Sequence, residues 1–130
     1  MPELNYLAVV VSIVGAFVLS GIWYGVLGNR MAALHPAYAE PSRSPYVTAG
    51  VELSRNLVLT LAVAGLADRL DVDDLASGLL LGLVLWIGFP LVLLTGSVFH
   101  EKVPPALAAI HAGNWLLKLL LIGGVAGMWT

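Results

Sequence analysis

The sequence predicts an all-α integral membrane protein, a single domain in which four transmembrane helices form a bundle. The first reason is composition. Of the 130 residues, 59% are hydrophobic and only 11% are charged, whereas roughly a quarter of the residues in soluble domains are charged. A soluble protein of this size has too small an interior to bury so much apolar surface. The second reason is pattern, since four apolar stretches long enough to cross ~30 Å of hydrocarbon are joined by short connectors.

The first span is predicted from about residue 5 to 27. No Lys or Arg precedes it, so it lacks the basic start of a secretory signal, and we interpret it as an uncleaved helix. Trp23 and Tyr24 are expected at the level of the lipid headgroups. Prolines and small residues from 28 to 46 predict a surface loop, which could include a short interfacial helix around Asn29 to Leu34.

The second span is predicted at about 47–67 and the third at about 75–99. The acidic run between them lacks the glycine and the distal glutamate of a calcium loop. We therefore interpret it as a solvated turn in which Asp71, Asp73 or Asp74 caps the next helix. Pro90, inside the third span, is expected to kink that helix and to free a carbonyl near Trp86.

The fourth span, predicted at about 106–129, carries three polar residues in its first half. His111, Asn114 and Lys118 lie within ~60° of one another around a helix axis. A lysine at this depth costs a few kcal/mol unless it finds a partner or water. The stripe therefore predicts that other helices supply polar groups to it.

Those partners are predicted on the second span. The connectors after the first and third spans lie on one side of the membrane, so the start of the second helix meets the start of the fourth there. Glu52 is expected roughly 7 Å below the entry, with Arg55 and Asn56 just deeper. The predicted polar cluster comprises Glu52, Arg55, Asn56, His111, Asn114 and Lys118, with Tyr24, His100 and Glu101 at its rim.

Two interpretations of this cluster stay open. In the structural one, Glu52 pairs with Lys118 or Arg55, and the network only fixes helix packing. In the functional one, the cluster lines a water-filled vestibule, with Glu52 as counter-charge, Arg55 and Lys118 as anion-binding or gating groups and His111 as proton carrier. With all three charges ionised, one positive charge is in excess. A neutral lysine, a second acid such as Glu101 or a bound anion would balance it.

Other functional classes find little support in the sequence. A net charge of −2 gives no basic surface for nucleic acid, and the absence of cysteine removes thiolate metal sites and covalent haem attachment. His100 and His111 lack the i, i+4 spacing of a helical zinc site. No nucleophile–base motif or phosphate-binding loop is present. We therefore predict no enzyme activity, no metal and no cofactor.

Positive charges that flank the spans predict the orientation. Arg30, Arg43 and Lys102 lie in the first and third connectors, and Arg69 alone lies in the second. Because cytoplasmic loops carry the excess of Lys and Arg, both termini are predicted to be extracytoplasmic.

Small-residue ridges predict close helix contacts and, with them, a homo-oligomer. Glycines four residues apart let helix backbones approach closely in lipid. Three such pairs occur, and a chain this small is not expected to bury all of them internally; they are Gly21/Gly25, Gly78/Gly82 and Gly123/Gly127.

Five short motifs occur in an order that resembles that of a known protein family. They are Asn-Tyr-Leu-Ala at 5–8, Gly-Ile-Trp-Tyr-Gly at 21–25, Trp-Ile-Gly-Phe at 86–89, Phe-His-Glu at 99–101 and His-Ala-Gly-Asn-Trp at 111–115. Over essentially the whole chain they resemble the DUF1761 family of small bacterial integral membrane proteins. The resemblance implies four transmembrane helices in a bacterial cytoplasmic membrane and transfers no catalytic residue, since the family has no assigned function.

The function that we predict is translocation of a small ion, proton or small solute through an oligomer. The clustered charge in one leaflet favours it. The alternative is a structural or accessory membrane protein whose polar network only fixes assembly. The other half of each predicted span is almost purely apolar, so a pore would need an oligomer or a second conformation.

Overall fold

The computed structural model describes residues 6–34 and 45–128, and every regular element in these two ranges is an α-helix. The five helices are α1 (Tyr6–Leu34), α2 (Pro45–Arg69), α3 (Leu75–Gly88), α4 (Pro90–His100) and α5 (Pro105–Met128). They make four spans long and apolar enough to cross a membrane, with α3 and α4 together forming the third. The predicted all-α bundle of four transmembrane helices is confirmed.

The first helix is longer than predicted. It continues to Leu34, so the expected end at residue 27 is wrong, and Asn29 to Leu34 form its last turns instead of a separate interfacial helix. These turns stay helical because they bury apolar side chains: Met31 packs against Leu107 and Ile110 at the start of α5. Arg30 is consequently an exposed helix residue, not a loop residue. Arg43 lies outside the described residues.

The third span is broken where a kink was predicted. Phe89 separates α3 from α4, and its N–H still donates to the Leu85 carbonyl at 3.0 Å. Pro90 has no N–H to give to the carbonyl of Trp86, four residues earlier. The break therefore frees the predicted carbonyl.

A capped turn joins α2 to α3. Asp74 caps α3 by accepting a hydrogen bond of 2.8 Å from the Ser77 backbone N–H. Hydrogen bonds from the Ser77 side chain and backbone lower the pKa of the Asp74 carboxyl. Asp71 takes the left-handed conformation, φ 57°, and the Val72 N–H then reaches back to the Ala67 carbonyl at 2.9 Å, which closes α2. Of the three predicted caps, Asp74 is the one used.

The last helix, α5, is the centre of the bundle. It contacts each of the other four helices, and it contributes the most buried residues of any element. The main apolar core joins three spans and consists of Ala16, Val63, Leu119 and Ile122. This core lies in the half of the bundle away from the N-terminal end of α5.

Two of the three glycine ridges pack against each other inside the chain. A β-carbon on Gly78 would overlap the carbonyl oxygen of Gly123, and one on Gly127 would overlap that of Asp74. A β-carbon on Gly82 would lie 2.5 Å from the Leu119 carbonyl oxygen. The backbones of antiparallel α3 and α5 are thus in direct contact. These two ridges are thus used within the chain, and their predicted role between chains stays a prediction.

We expect Gly123→Ala to destabilise the fold by about 1–3 kcal/mol or more, because the new methyl meets backbone that cannot rotate away. The matched control is Gly65→Ala in α2, where nothing lies within 4 Å of the added carbon. That variant should be neutral or slightly more stable. Unfolding in detergent followed by circular dichroism measures both, and equal stability of the two variants would contradict the α3–α5 contact.

Candidate functional site

A cavity of about 700 Å³ lies between α1, α2 and α5. It occupies the half of the bundle where α1 ends and where α2 and α5 begin. Its wall mixes charged, polar and apolar side chains with small residues. The lining residues are Phe17, Ser20, Gly21, Tyr24, Gly28 and Met31 from α1, Thr48, Ala49, Glu52 and Arg55 from α2, and His111, Asn114, Trp115 and Lys118 from α5.

The α5 wall is the predicted polar stripe, and Lys118 is its deepest member. The residue is only 3% exposed, yet it lines the cavity. Its Nζ lies 5.2 Å from the centroid of the Trp115 ring, a contact worth ~0.5–2 kcal/mol. No described residue forms a hydrogen bond or an ion pair with the Lys118 ammonium. Its surroundings are the face of the Trp115 ring and the cavity.

The α2 wall carries the ion pair. Arg55 Nη1 lies 2.7 Å from Glu52 Oε1, which decides between the two pairings that the sequence left open. The charges of Glu52 and Arg55 act on the Lys118 ammonium from a distance, one attracting it and the other repelling it. The direct pair is therefore internal to α2, and the positive charge of Lys118 is not cancelled by contact.

The α1 wall was missed by the sequence analysis, apart from Tyr24. Ser20 Oγ donates to Asn114 Oδ1 at 3.0 Å, and the Tyr24 hydroxyl lies 2.8 Å from His111 Nδ1. The available signal was the helical spacing of Ser20, Tyr24 and Gly28, a narrow stripe of small and polar residues on an apolar helix. Each polar group of this stripe meets one on α5.

Two tryptophans fix the position of α5 beside the cavity. Trp23 Nε1 donates to the Ile110 carbonyl and Trp86 Nε1 to the Ala112 carbonyl, each at 2.9 Å. A β-carbon on Gly113 would lie 2.6 Å from the Trp23 ring, so glycine is needed for that approach. The position of Trp23 at the lipid interface stays a prediction; its indole N–H joins α1 to α5.

Three predicted site residues lie outside the cavity wall. Asn56 is fully buried on α2, just beyond the cavity, instead of lining it. His100 and Glu101 are exposed at the end of α4, where His100 stacks edge-on against Phe99 with ring centroids 4.9 Å apart. The structure does not bring these two rim residues to the cluster, because their turn ends α4 on the surface.

The arrangement suits a small negatively charged molecule. Lys118 offers a cation at the deep end, and Asn114 on α5 and Tyr24 on α1 offer polar groups. Phe17, Met31 and Trp115 give apolar surface to a non-polar part of a ligand. Small-molecule sites typically combine apolar surface with convergent polar groups in this way.

The profile of one protein family, described as a protein of unknown function (DUF1761), matches residues 7–127. The chain belongs to the DUF1761 family. The match covers all four spans, so every lining residue of the cavity falls within the DUF1761 region. No curated protein and no solved structure matches the chain.

We expect Ser20→Ala to destabilise the protein by roughly 0.6–1.7 kcal/mol, the range for hydrogen bonds between membrane helices, because it leaves Asn114 Oδ1 buried without its donor. Ser54→Ala is the control, since that hydroxyl bonds the Gly50 carbonyl of its own helix. Denaturant unfolding in detergent measures both. If Ser54→Ala loses as much stability as Ser20→Ala, the hydrogen bond between α1 and α5 is not the source of the stabilisation.

Proposed function

We propose that this membrane protein binds a small anion in the α1–α2–α5 cavity and carries it across the bilayer. Where transport is coupled to protons, a proton moves together with the anion. The observation that carries the proposal is Lys118. The residue is only 3% exposed, its ammonium has no hydrogen-bonding partner among the described residues, and it borders a cavity of about 700 Å³.

Energetics favour an anion as the ligand. A charged side chain near the middle of a membrane helix costs at least ~2.5 kcal/mol without a partner. Because Glu52 is held by Arg55 at 2.7 Å, the three ionised groups carry one net positive charge around the cavity. A carboxylate or inorganic anion that reaches Lys118 supplies the missing partner with a charge-assisted hydrogen bond.

A route for a proton lies next to the anion site. Histidine exchanges protons near neutral pH, and His111 Nδ1 is 2.8 Å from the Tyr24 hydroxyl. Both side chains line the cavity, and His111 precedes Lys118 on α5 by seven residues, about two turns. His111 is therefore placed to take up a proton when the anion binds.

The homo-oligomer is part of the same proposal. Gly21 and Gly25 are exposed on α1, and nothing lies within 4 Å of a β-carbon at either position. This ridge remains for a contact between chains after α3 and α5 have used the other two. A neighbouring chain there would also cover the α1 side of the cavity.

The setting that we propose is a bacterial cytoplasmic membrane with both termini outside. The cavity then opens on the cytoplasmic half of the bundle. Because the chain has no cysteine, Lys102→Cys gives a single thiol in the connector between α4 and α5. A membrane-impermeant maleimide should label it only after the cells are opened. Labelling of intact cells would place this connector outside the cell and would contradict the proposed orientation.

A structural role is the second candidate, and the interhelical hydrogen bonds favour it. Ser20, Trp23 and Trp86 each donate to α5 from another helix. In that case the cluster would only fix the packing of the helices. Substitutions that fill the cavity or remove its charges would then change only the stability of the protein.

The decisive variant is Lys118→Met, which keeps the length of the side chain and removes its charge. We expect anion binding to weaken about tenfold or more, since a hydrogen bond to a charged group is worth ~1.5–3 kcal/mol. Flux should fall with it while the fold is kept. Chloride and pyruvate serve as probes, with binding followed by tryptophan fluorescence in detergent and flux measured in proteoliposomes.

Lys102→Met is the matched control, because Lys102 is an exposed connector residue outside the cavity. It should bind and transport like the wild type. Absence of binding and flux in the wild-type protein, together with altered stability in Lys118→Met, would favour the structural role and overturn the proposal.

A further inference from the structure

Two buried polar side chains lie just beyond the cavity on α2. Asn56 is 0% exposed and Thr60 is 1% exposed. Among the residues that the structure describes, neither Nδ2 nor Oδ1 of Asn56 has a hydrogen-bonding partner, and Thr60 Oγ1 has none either. Threonine hydroxyls in helices usually bond the carbonyl of the preceding turn; Thr95 does so, to Leu91 at 2.7 Å. The Thr60 hydroxyl does not form this bond.

These side chains continue the polar wall of α2 across the middle of the helix. Glu52, Asn56 and Thr60 follow one another at i, i+4 and i+8, one helical stripe, and Glu52 lines the cavity. Thr60 lies ~22 Å from the start of α2 at 1.5 Å per residue, which is past the helix midpoint. Val63, on the next turn, belongs to the apolar core. Lys118 lies ~20 Å from the start of α5, so the polar stripe of α2 reaches about the same depth as the cavity.

The lack of partners has an energetic consequence. A buried polar group without a hydrogen bond costs ~1–3 kcal/mol, and here three such atoms sit on adjacent turns. A water molecule needs two to four polar partners, and an amide N–H, an amide oxygen and a hydroxyl provide them. Hydration of this pair would therefore lower the energy of a conformation in which α2 is slightly displaced.

We propose that Asn56 and Thr60 form a water-binding site that opens by movement of α2 and widens the polar path at the depth of Lys118. In the conformation described, the three atoms are closed off from the cavity. We assign the movement to α2 because both side chains lie on it. The inference rests on the proposed transport, for which it supplies water at the middle of the route.

Cysteine accessibility tests the site directly, because the chain has no cysteine of its own. Three variants are compared in proteoliposomes with the small thiosulfonate reagent 2-aminoethyl methanethiosulfonate: Thr60→Cys, Ala49→Cys on the cavity wall and Val63→Cys in the apolar core. Thiolate is the reacting form and requires water. Thr60→Cys should react within about tenfold of the rate of Ala49→Cys, and Val63→Cys about a hundredfold more slowly.

Intact-protein mass measures the modification, and circular dichroism checks the fold. Thr60→Cys as unreactive as Val63→Cys would overturn the water site. A second variant, Asn56→Leu with Thr60→Val, keeps the result interpretable if the cysteine disturbs packing. It should lose most flux while chloride binding at Lys118 is unchanged. Full flux together with higher stability would show a site that never hydrates, and would also overturn the inference.

The two proposals fail separately. If Thr60→Cys is modified but the wild type moves neither chloride nor pyruvate, the water site stands and transport fails. If the wild type transports both probes and Thr60→Cys stays protected, transport stands and the water site fails.

Discussion

Direct contact between the backbones of α3 and α5 is the constraint on which the rest of the structure depends. In lipid, apolar side chains gain little from leaving the solvent for a neighbouring helix, so association relies on close packing. Gly78, Gly82 and Gly123 permit an approach that any β-carbon would prevent. Because α5 is held so tightly on one face, its opposite face can carry the polar stripe against α1 and α2 without loss of helix alignment. The cavity forms where that second face is less closely packed.

The polar side of α5 combines two kinds of contact that serve different ends. Hydrogen bonds from Ser20, Trp23 and Trp86 tie it to its neighbours, and these are sufficient to keep the helices in register. Lys118 adds nothing to that register, since it meets only the Trp115 ring and the cavity. Burial of this cation opposes folding. An anion bound there, as proposed, would offset that cost.

Much of the fold could be predicted because hydropathy and span length follow from the absence of water in the bilayer. The break at Pro90 and the cap at Asp74 were predictable for local reasons, a missing N–H and a free acceptor. Tertiary contacts set what could not be predicted. Met31 extends α1 because it packs on α5, and Glu52 chooses Arg55 over Lys118 because the nearer partner lies on its own helix. Ser20 and Thr60 were overlooked, since a lone hydroxyl on an apolar helix reveals its neighbours only in three dimensions.

The central place of α5 has a consequence for biogenesis. Helices enter the membrane in the order in which the ribosome makes them, and α5 is the last of the five described elements. Until it arrives, α1 and α3 lack their main partner, because α5 contacts every other helix and holds more of the buried positions than any other helix. Without α5, the earlier spans therefore lack most of the contacts that place them in the bundle. Completion of the bundle is a late event that follows insertion of α5.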